Sequence, residues 1–119
     1  MRPDRFSALV HQRTNDSRWR LTKPLFYFHK SGRVIVVMSG FVTDLDSVPR
    51  VPGVYAAFKG RAVKSAVVHD WLYETQAGKR YADRMFLDAM KDEGIPAMYR
   101  YPIFFAVAFF GGSIYSRKR

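Results

Sequence analysis

The chain has 119 residues, of which 48% are hydrophobic and 25% charged, with no cysteine and a formal net charge of +10. These values predict one globular domain over residues 1–119, and they exclude global disorder, a disulfide framework and a thiolate metal site. The excess of cations predicts attraction to polyanions, either nucleic acid or an anionic membrane surface.

The first half of the chain, residues 1–60, has the pattern of β-strands and loops. Its N-terminus lacks an apolar signal segment. Aromatic and β-branched runs flank a turn at Ser31-Gly32, which predicts an antiparallel hairpin or small sheet. Pro24 predicts that the first strand lies at an edge or is broken. We interpret His29, next to the turn, as an ordinary strand-end residue.

An irregular loop with the sequence T-D-L-D-S-V-P-R follows, and it contains Asp44 and Asp46. One interpretation is an Asx-turn with a local ion pair to Arg50. The other is a loop that brings oxygen ligands to a site in the second half of the chain. An EF-hand is excluded, because Gly and Glu are absent at the required offsets.

The second half, residues 61–119, is predicted to be mostly helical, so the fold class is α+β with a three-helix C-terminal half. The first helix, from Ala62, is apolar on nearly every side, which is typical of a buried helix. Gly78 is predicted to supply the left-handed residue at its end. The run from 102 to 115 is too short to span a bilayer. Pro102 fits the first turn of a helix that covers the core or, in a second interpretation, touches a membrane.

A helical hairpin is predicted to pair a histidine with an aspartate. Asp83 lies on the apolar stripe of the second helix that should face inward. If the chain turns at Gln76, His69 and Asp83 are each seven residues from the turn, or roughly 10 Å along their helices. A buried carboxylate requires a partner. The sequence therefore predicts a buried His69–Asp83 pair that crosses two helices.

Four ordered motifs between Gly40 and Tyr115 resemble an uncharacterised phage and prophage domain-of-unknown-function family (number 1353). They are F-V-T-D-L-D-S-V-P-R, A-V-V-H-D-W-L-Y, Y-A-D-R-M-F-L-D-A-M and A-V-A-F-F-G-G. Asp46 stands where a small residue is usual in that family, and Ala108 where a basic residue is common. The resemblance implies other phage proteins as partners, production in the host cytoplasm and a place in the virion.

The pattern H-D-x-x-Y followed by A-D-x-x-F is also similar to the core of secreted and parvoviral phospholipases of the A-two type. That resemblance assigns roles to four residues: catalytic His69, Asp83 and Tyr73, and calcium-binding Asp70. His69 would deprotonate water, and Asp83 would orient the imidazole. Oxygen atoms of Asp44 and Asp46 would complete the calcium shell. The disulfides and the glycine-rich calcium loop of the secreted enzymes are absent.

These observations favour a non-enzymatic virion or assembly component of a phage, in which the buried pair fixes helix register. The alternative is a calcium-dependent lipid esterase at a membrane surface. Nucleic-acid binding ranks below both, because Lys and Arg are spread along the chain rather than clustered. A zinc hydrolase ranks last, because no H-x-x-x-H spacing occurs.

Overall fold

The computed structural model describes residues 5–15, 18–44 and 61–118, and its architecture is α+β, as predicted. The described part of the N-terminal half contains five strands: β1 (His11–Arg13), β2 (Trp19–Leu21), β3 (Leu25–Phe28), β4 (Val34–Val37) and β5 (Val42–Thr43). The C-terminal half contains the helices α1 (Val63–Glu74), α2 (Lys79–Asp92), α3 (Ala97–Phe110) and α4 (Gly112–Arg117). The short α4 is an addition to the three predicted helices.

The strands form two small antiparallel sheets. β3 and β4 pair as the predicted hairpin, and the turn between them includes Gly32, whose φ of 92° favours glycine. β2 lies between β1 and β5 in a three-stranded sheet. The strand predicted to continue through Pro24 is broken there, since β2 ends at Leu21 and β3 begins at Leu25. Proline has no N–H to donate to a strand ladder, which explains the break.

Among the residues that the structure describes, the buried apolar side chains form two clusters. The first lies between the strands and α1 and includes Leu25, Tyr27, Val37, Val67 and Leu72. The second lies among the helices and includes Ala66, Phe86, Met90, Ile103 and Val107. α1 contributes to both clusters, because it is buried on most of its surface, as its all-round apolar sequence predicted.

The turn between α1 and α2 differs from the prediction at one residue. Gln76, rather than Gly78, adopts the left-handed conformation, with φ of 53°. Its N–H bonds to the Tyr73 carbonyl at 3.1 Å, as in a Schellman motif. Its side-chain amide donates to the carbonyls of Tyr73 and Tyr115, at 2.8 and 2.9 Å. These bonds offset the cost of a left-handed conformation in a residue with a Cβ.

α3 begins earlier than predicted. It starts at Ala97 with Pro96 as its N-cap, so Pro102 lies in the helix interior and the prediction that it occupies the first turn is wrong. The proline nitrogen cannot bond to the carbonyl of Met98. Met98 is 73% exposed, so water can solvate that region of the helix. No helix in the described part of the chain is long and apolar enough to cross a membrane.

Glu93 closes the open end of the α1–α2 hairpin. Its carboxylate accepts hydrogen bonds from the backbone N–H groups of Lys64 and Ser65, at 3.2 and 3.0 Å, and from the Ser65 hydroxyl at 2.6 Å. These N–H groups belong to the first turn of α1, where a helix offers them no partner of its own. Glu93 therefore caps α1 from the end of the neighbouring helix.

We expect Glu93→Gln to lower the free energy of unfolding by about 1–2 kcal/mol, because the negative charge at the α1 N-terminus is lost. Urea denaturation at neutral pH measures the change. Glu74→Gln is the matched control, since Glu74 is exposed and pairs with Lys118 at 3.5 Å on the surface. Equal effects of the two substitutions would contradict the capping role of Glu93.

Candidate functional site

The predicted pair of His69 and Asp83 lies at the centre of the α1–α2 hairpin. The His69 Nε2 donates a hydrogen bond to Asp83 Oδ1 at 2.8 Å. His69 is 0% exposed and Asp83 4% exposed. The predicted pairing across two buried helices is therefore confirmed by the geometry.

Two further donors bind the Asp83 carboxylate. The Tyr73 hydroxyl donates to Oδ1 at 2.7 Å, and the Lys79 ammonium donates to Oδ2 at 2.6 Å. Lys79 also donates to two backbone carbonyls near the end of α3, each at 3.2 Å. We call His69, Tyr73, Lys79 and Asp83 the clasp. Lys79 was not among the predicted site residues, although its i, i+4 spacing to Asp83 is a signal for such a pair.

The surroundings set the protonation states of the clasp. Burial lowers the pKa of His69 and outweighs the hydrogen bond that His69 donates to Asp83, which acts in the opposite direction. Burial alone would raise the pKa of Asp83, but the hydrogen bonds from His69, Lys79 and Tyr73 hold it below its ordinary value. Burial and the bond to Asp83 raise the pKa of Tyr73. At neutral pH the imidazole is thus neutral beside an ionised carboxylate, which only accepts hydrogen bonds, so Nε2 carries the imidazole proton.

Aromatic rings and a glycine enclose the imidazole and its neighbours. The His69 ring stacks on Phe86 with ring centroids 4.6 Å apart, and it lies 4.2 Å from the Tyr73 ring. Gly111, between α3 and α4, passes so close to Tyr73 that a Cβ there would lie 2.7 Å from the hydroxyl oxygen. This close approach requires glycine, and it places the end of α3 against the clasp.

The residues predicted to bind calcium have different surroundings. Asp70 is buried, accepts a hydrogen bond from the Thr43 hydroxyl and lies 3.5 Å from the Lys118 ammonium. Asp44 is exposed at the end of β5, and Asp46 lies outside the described residues. Among the residues that the structure describes, no group of three or more His, Asp or Glu side chains could hold a metal ion. Calcium binding therefore rests on the phospholipase resemblance and remains a prediction.

A second histidine–carboxylate pair connects the β3–β4 hairpin to α2. His29, interpreted from the sequence as an ordinary strand-end residue, is buried, and its Nε2 lies 2.8 Å from Asp88 Oδ2. Its Nδ1 lies 2.7 Å from the Ser31 hydroxyl. The Tyr27 hydroxyl donates to Asp92 at 2.6 Å, and burial together with this bond raises the pKa of Tyr27. Two polar contacts thus attach β3 and the turn after it to α2.

Comparison with known proteins identifies a family. The sequence model of the family described as "Protein of unknown function (DUF1353)" matches residues 19–107, which include every member of the clasp. This match covers most of the chain, so the chain belongs to that family. No curated protein and no solved structure matches the chain.

We expect the stability of the protein to fall on acidification because of His69. Its pKa in the folded state lies below the ordinary value of 6.5, so below that pH the unfolded chain binds a proton that the folded chain does not. The free energy of unfolding should then decrease, by at most about 1.4 kcal/mol per pH unit, as the pH falls from 6.5 towards the folded-state pKa. Urea denaturation at several pH values measures the slope.

The matched comparison is between two variants. His69→Gln should lose the part of the pH dependence of unfolding free energy that is due to His69, and His11→Gln should keep it. His11 is exposed on β1 and stacks on Trp19. The same pH dependence in the wild type and His69→Gln would contradict the assignment.

Proposed function

We propose that this member of the DUF1353 family is a small basic, non-enzymatic component of a phage or prophage particle or of its assembly, with other phage proteins as partners. The observation that carries the proposal is the burial of the imidazole at the centre of the clasp, since the His69 side chain has no exposed surface. A general base must reach water and substrate within hydrogen-bond distance. Here the imidazole packs inside the core against Phe86 and Tyr73.

The polar residues of the family motifs support a structural role, because they connect separate elements of the fold. Besides the clasp, Thr43 of the first motif bonds to Asp70 of the second, and so joins β5 to α1. Asp88 of the third motif bonds to His29 and joins α2 to the β3–β4 hairpin. Stability of the fold accounts for these residue types without any reaction chemistry.

The phage assignment rests on the resemblance of the four motifs, and the surface charge is compatible with it. The net charge of +10 attracts acidic proteins and nucleic acid, both of which a particle component meets during assembly. Nonspecific polyanion contact of this kind weakens as salt is added. The proposed partners are therefore other particle proteins, with packaged nucleic acid as a nonspecific contact.

The particle role is tested in a lysogen that encodes the chain, with an epitope tag on the protein. After induction, we expect the tagged chain to sediment with particles or with assembly intermediates, and deletion of its gene to lower the yield of complete particles. The control is a tagged cytoplasmic host protein, which should stay at the top of the gradient. A chain found only in the free fraction, with normal particle yield after deletion, would contradict the proposal.

The alternative function is ester hydrolysis, and one observation favours it. His69 and Tyr73 bind the same oxygen of Asp83, which is the arrangement that the phospholipase resemblance implies. With the proton on Nε2, the imidazole Nδ1 is the atom that would take a proton from water. The calcium ion would stabilise negative charge on the ester oxygen. Asp70 would have to hold that ion, yet the Lys118 ammonium already lies 3.5 Å from its carboxylate.

We expect the purified protein to release no fatty acid from vesicles of phosphatidylcholine and phosphatidylglycerol, either with calcium or with a chelator. The buried imidazole is the reason, since it offers no surface to a substrate. Calcium-dependent release by the wild type would instead establish the esterase, provided that His69→Gln abolishes it and His11→Gln does not. Circular dichroism of each variant verifies that loss of activity does not reflect loss of the fold.

A further inference from the structure

An apolar face runs along the outer side of α3. Met98, Tyr101, Phe105 and Phe109 recur at helical spacing, and Phe109 is 79% exposed. The opposite side of the same helix contributes Ile103 to the core, so α3 is apolar on both sides. Several large apolar side chains exposed side by side are typical of interaction sites. We call these four residues the aromatic face.

A cleft of about 230 Å³ opens beside the clasp, between α2 and α3. Its lining consists of Lys79, Arg80, Asp83, Arg84, Phe104 and Ala108. Asp83 is neutralised there by Lys79, as described above. Arg80 and Arg84 are exposed, and neither makes a hydrogen bond or ion pair with the residues that the structure describes. The cleft thus presents two guanidinium groups at i, i+4 spacing next to apolar side chains.

The cleft and the aromatic face are continuous. Phe104, which lines the cleft, has its ring centroid 5.4 Å from that of Phe105 on the aromatic face. Phe105 in turn lies 6.3 Å from Tyr101, measured between ring centroids. The cleft that contains the two arginines therefore adjoins the aromatic face. This arrangement fits an amphiphile with an anionic head group and an apolar tail.

Charge selects among the possible occupants of this surface. Residues 94–118 contain no aspartate or glutamate but do contain Arg100, Arg117 and Lys118. A second copy of the chain would place like charges opposite one another, which disfavours self-association. Nucleic acid supplies phosphates but has no apolar layer to cover a helix face. An anionic bilayer supplies phosphates at its surface and hydrocarbon directly beneath them.

We propose that α3 docks on the surface of an anionic lipid bilayer. The helix has 14 residues and is about 21 Å long, so it lies parallel to the membrane plane with the aromatic face at the boundary between head groups and acyl chains. Arg80 and Arg84 bind lipid phosphates at the mouth of the cleft. The inference goes beyond the particle role and does not depend on it.

The experiment measures partition of the purified chain onto vesicles of phosphatidylcholine with phosphatidylglycerol, and onto pure phosphatidylcholine. The wild type should bind the anionic vesicles. Phe109→Ser should lower the partition coefficient about 10-fold, because a large apolar side chain no longer enters the bilayer. Arg80→Ser combined with Arg84→Ser should lower it about 30-fold. When the anionic vesicles are added, the tryptophan emission of Phe109→Trp should shift further to the blue than the tryptophan emission of the wild type does.

Matched controls lie in the N-terminal half, on β3 and in the connections on either side of it. Phe28→Ser removes an exposed phenylalanine from β3, and Lys23→Ser with Lys30→Ser removes two exposed cations. Both controls should stay within about twofold of the wild type, because none of these side chains belongs to α3 or lines the cleft.

Three outcomes would overturn the proposal. The first is no binding to anionic vesicles. The second is that the double arginine and double lysine variants lose the same amount of vesicle binding while Phe109→Ser loses none. That result would indicate nonspecific attraction to the basic surface as a whole. The third is binding to duplex DNA that exceeds vesicle binding and depends on Phe109, which indicates a nucleic-acid surface.

Discussion

The interaction on which the rest of the structure depends is the burial of the Asp83 carboxylate with three donors. A buried carboxylate without partners costs several kcal/mol, so the fold is favourable only when all three donors reach it. Two of them, His69 and Tyr73, lie on α1, and Lys79 lies one turn earlier on α2 itself. A slip of α1 along α2 by a single residue would separate both α1 donors, His69 and Tyr73, from Oδ1. The carboxylate therefore fixes the register of the helical hairpin.

Other acidic residues on or next to α2 fix the positions of the β3–β4 hairpin and of α1 in the same way. Asp88 and Asp92 of α2 bind His29 and Tyr27 of the β3–β4 hairpin, and Glu93, directly after α2, caps α1. Each contact is a charged acceptor with a specific donor, which is directional in a way that the apolar clusters are not. The apolar clusters supply most of the stabilisation. The acidic residues of α2 determine where the sheet and α1 pack against it.

Much of the clasp could be predicted from the sequence. In a helical hairpin, residues that are equally far from the turn lie opposite each other on the two helices. That symmetry paired His69 with Asp83, and the left-handed residue falls at Gln76, the centre of the turn. The identity of that residue was missed, because hydrogen bonds from the Gln76 side chain replace the usual advantage of glycine. Contacts between distant segments had no local signal: Glu93 reaches Ser65 across 28 residues, and nothing in the spacing relates them.

If the imidazole faced solvent, His69 and Asp83 would be a catalytic dyad, with Tyr73 and Lys79 holding the carboxylate. The identities of these residues are therefore compatible with both a structural role and ester hydrolysis. The two roles differ in the solvent access that they require of the imidazole. A neutral imidazole held by a carboxylate acts as a base only where water and substrate reach Nδ1. Inside this protein the acidic residues of α2 are engaged by internal donors. On its surface Arg80 and Arg84 have no internal partner among the described residues. The interior therefore uses its charges for the fold, and Arg80 and Arg84, beside the aromatic face, can bind another molecule without losing an internal contact among the described residues.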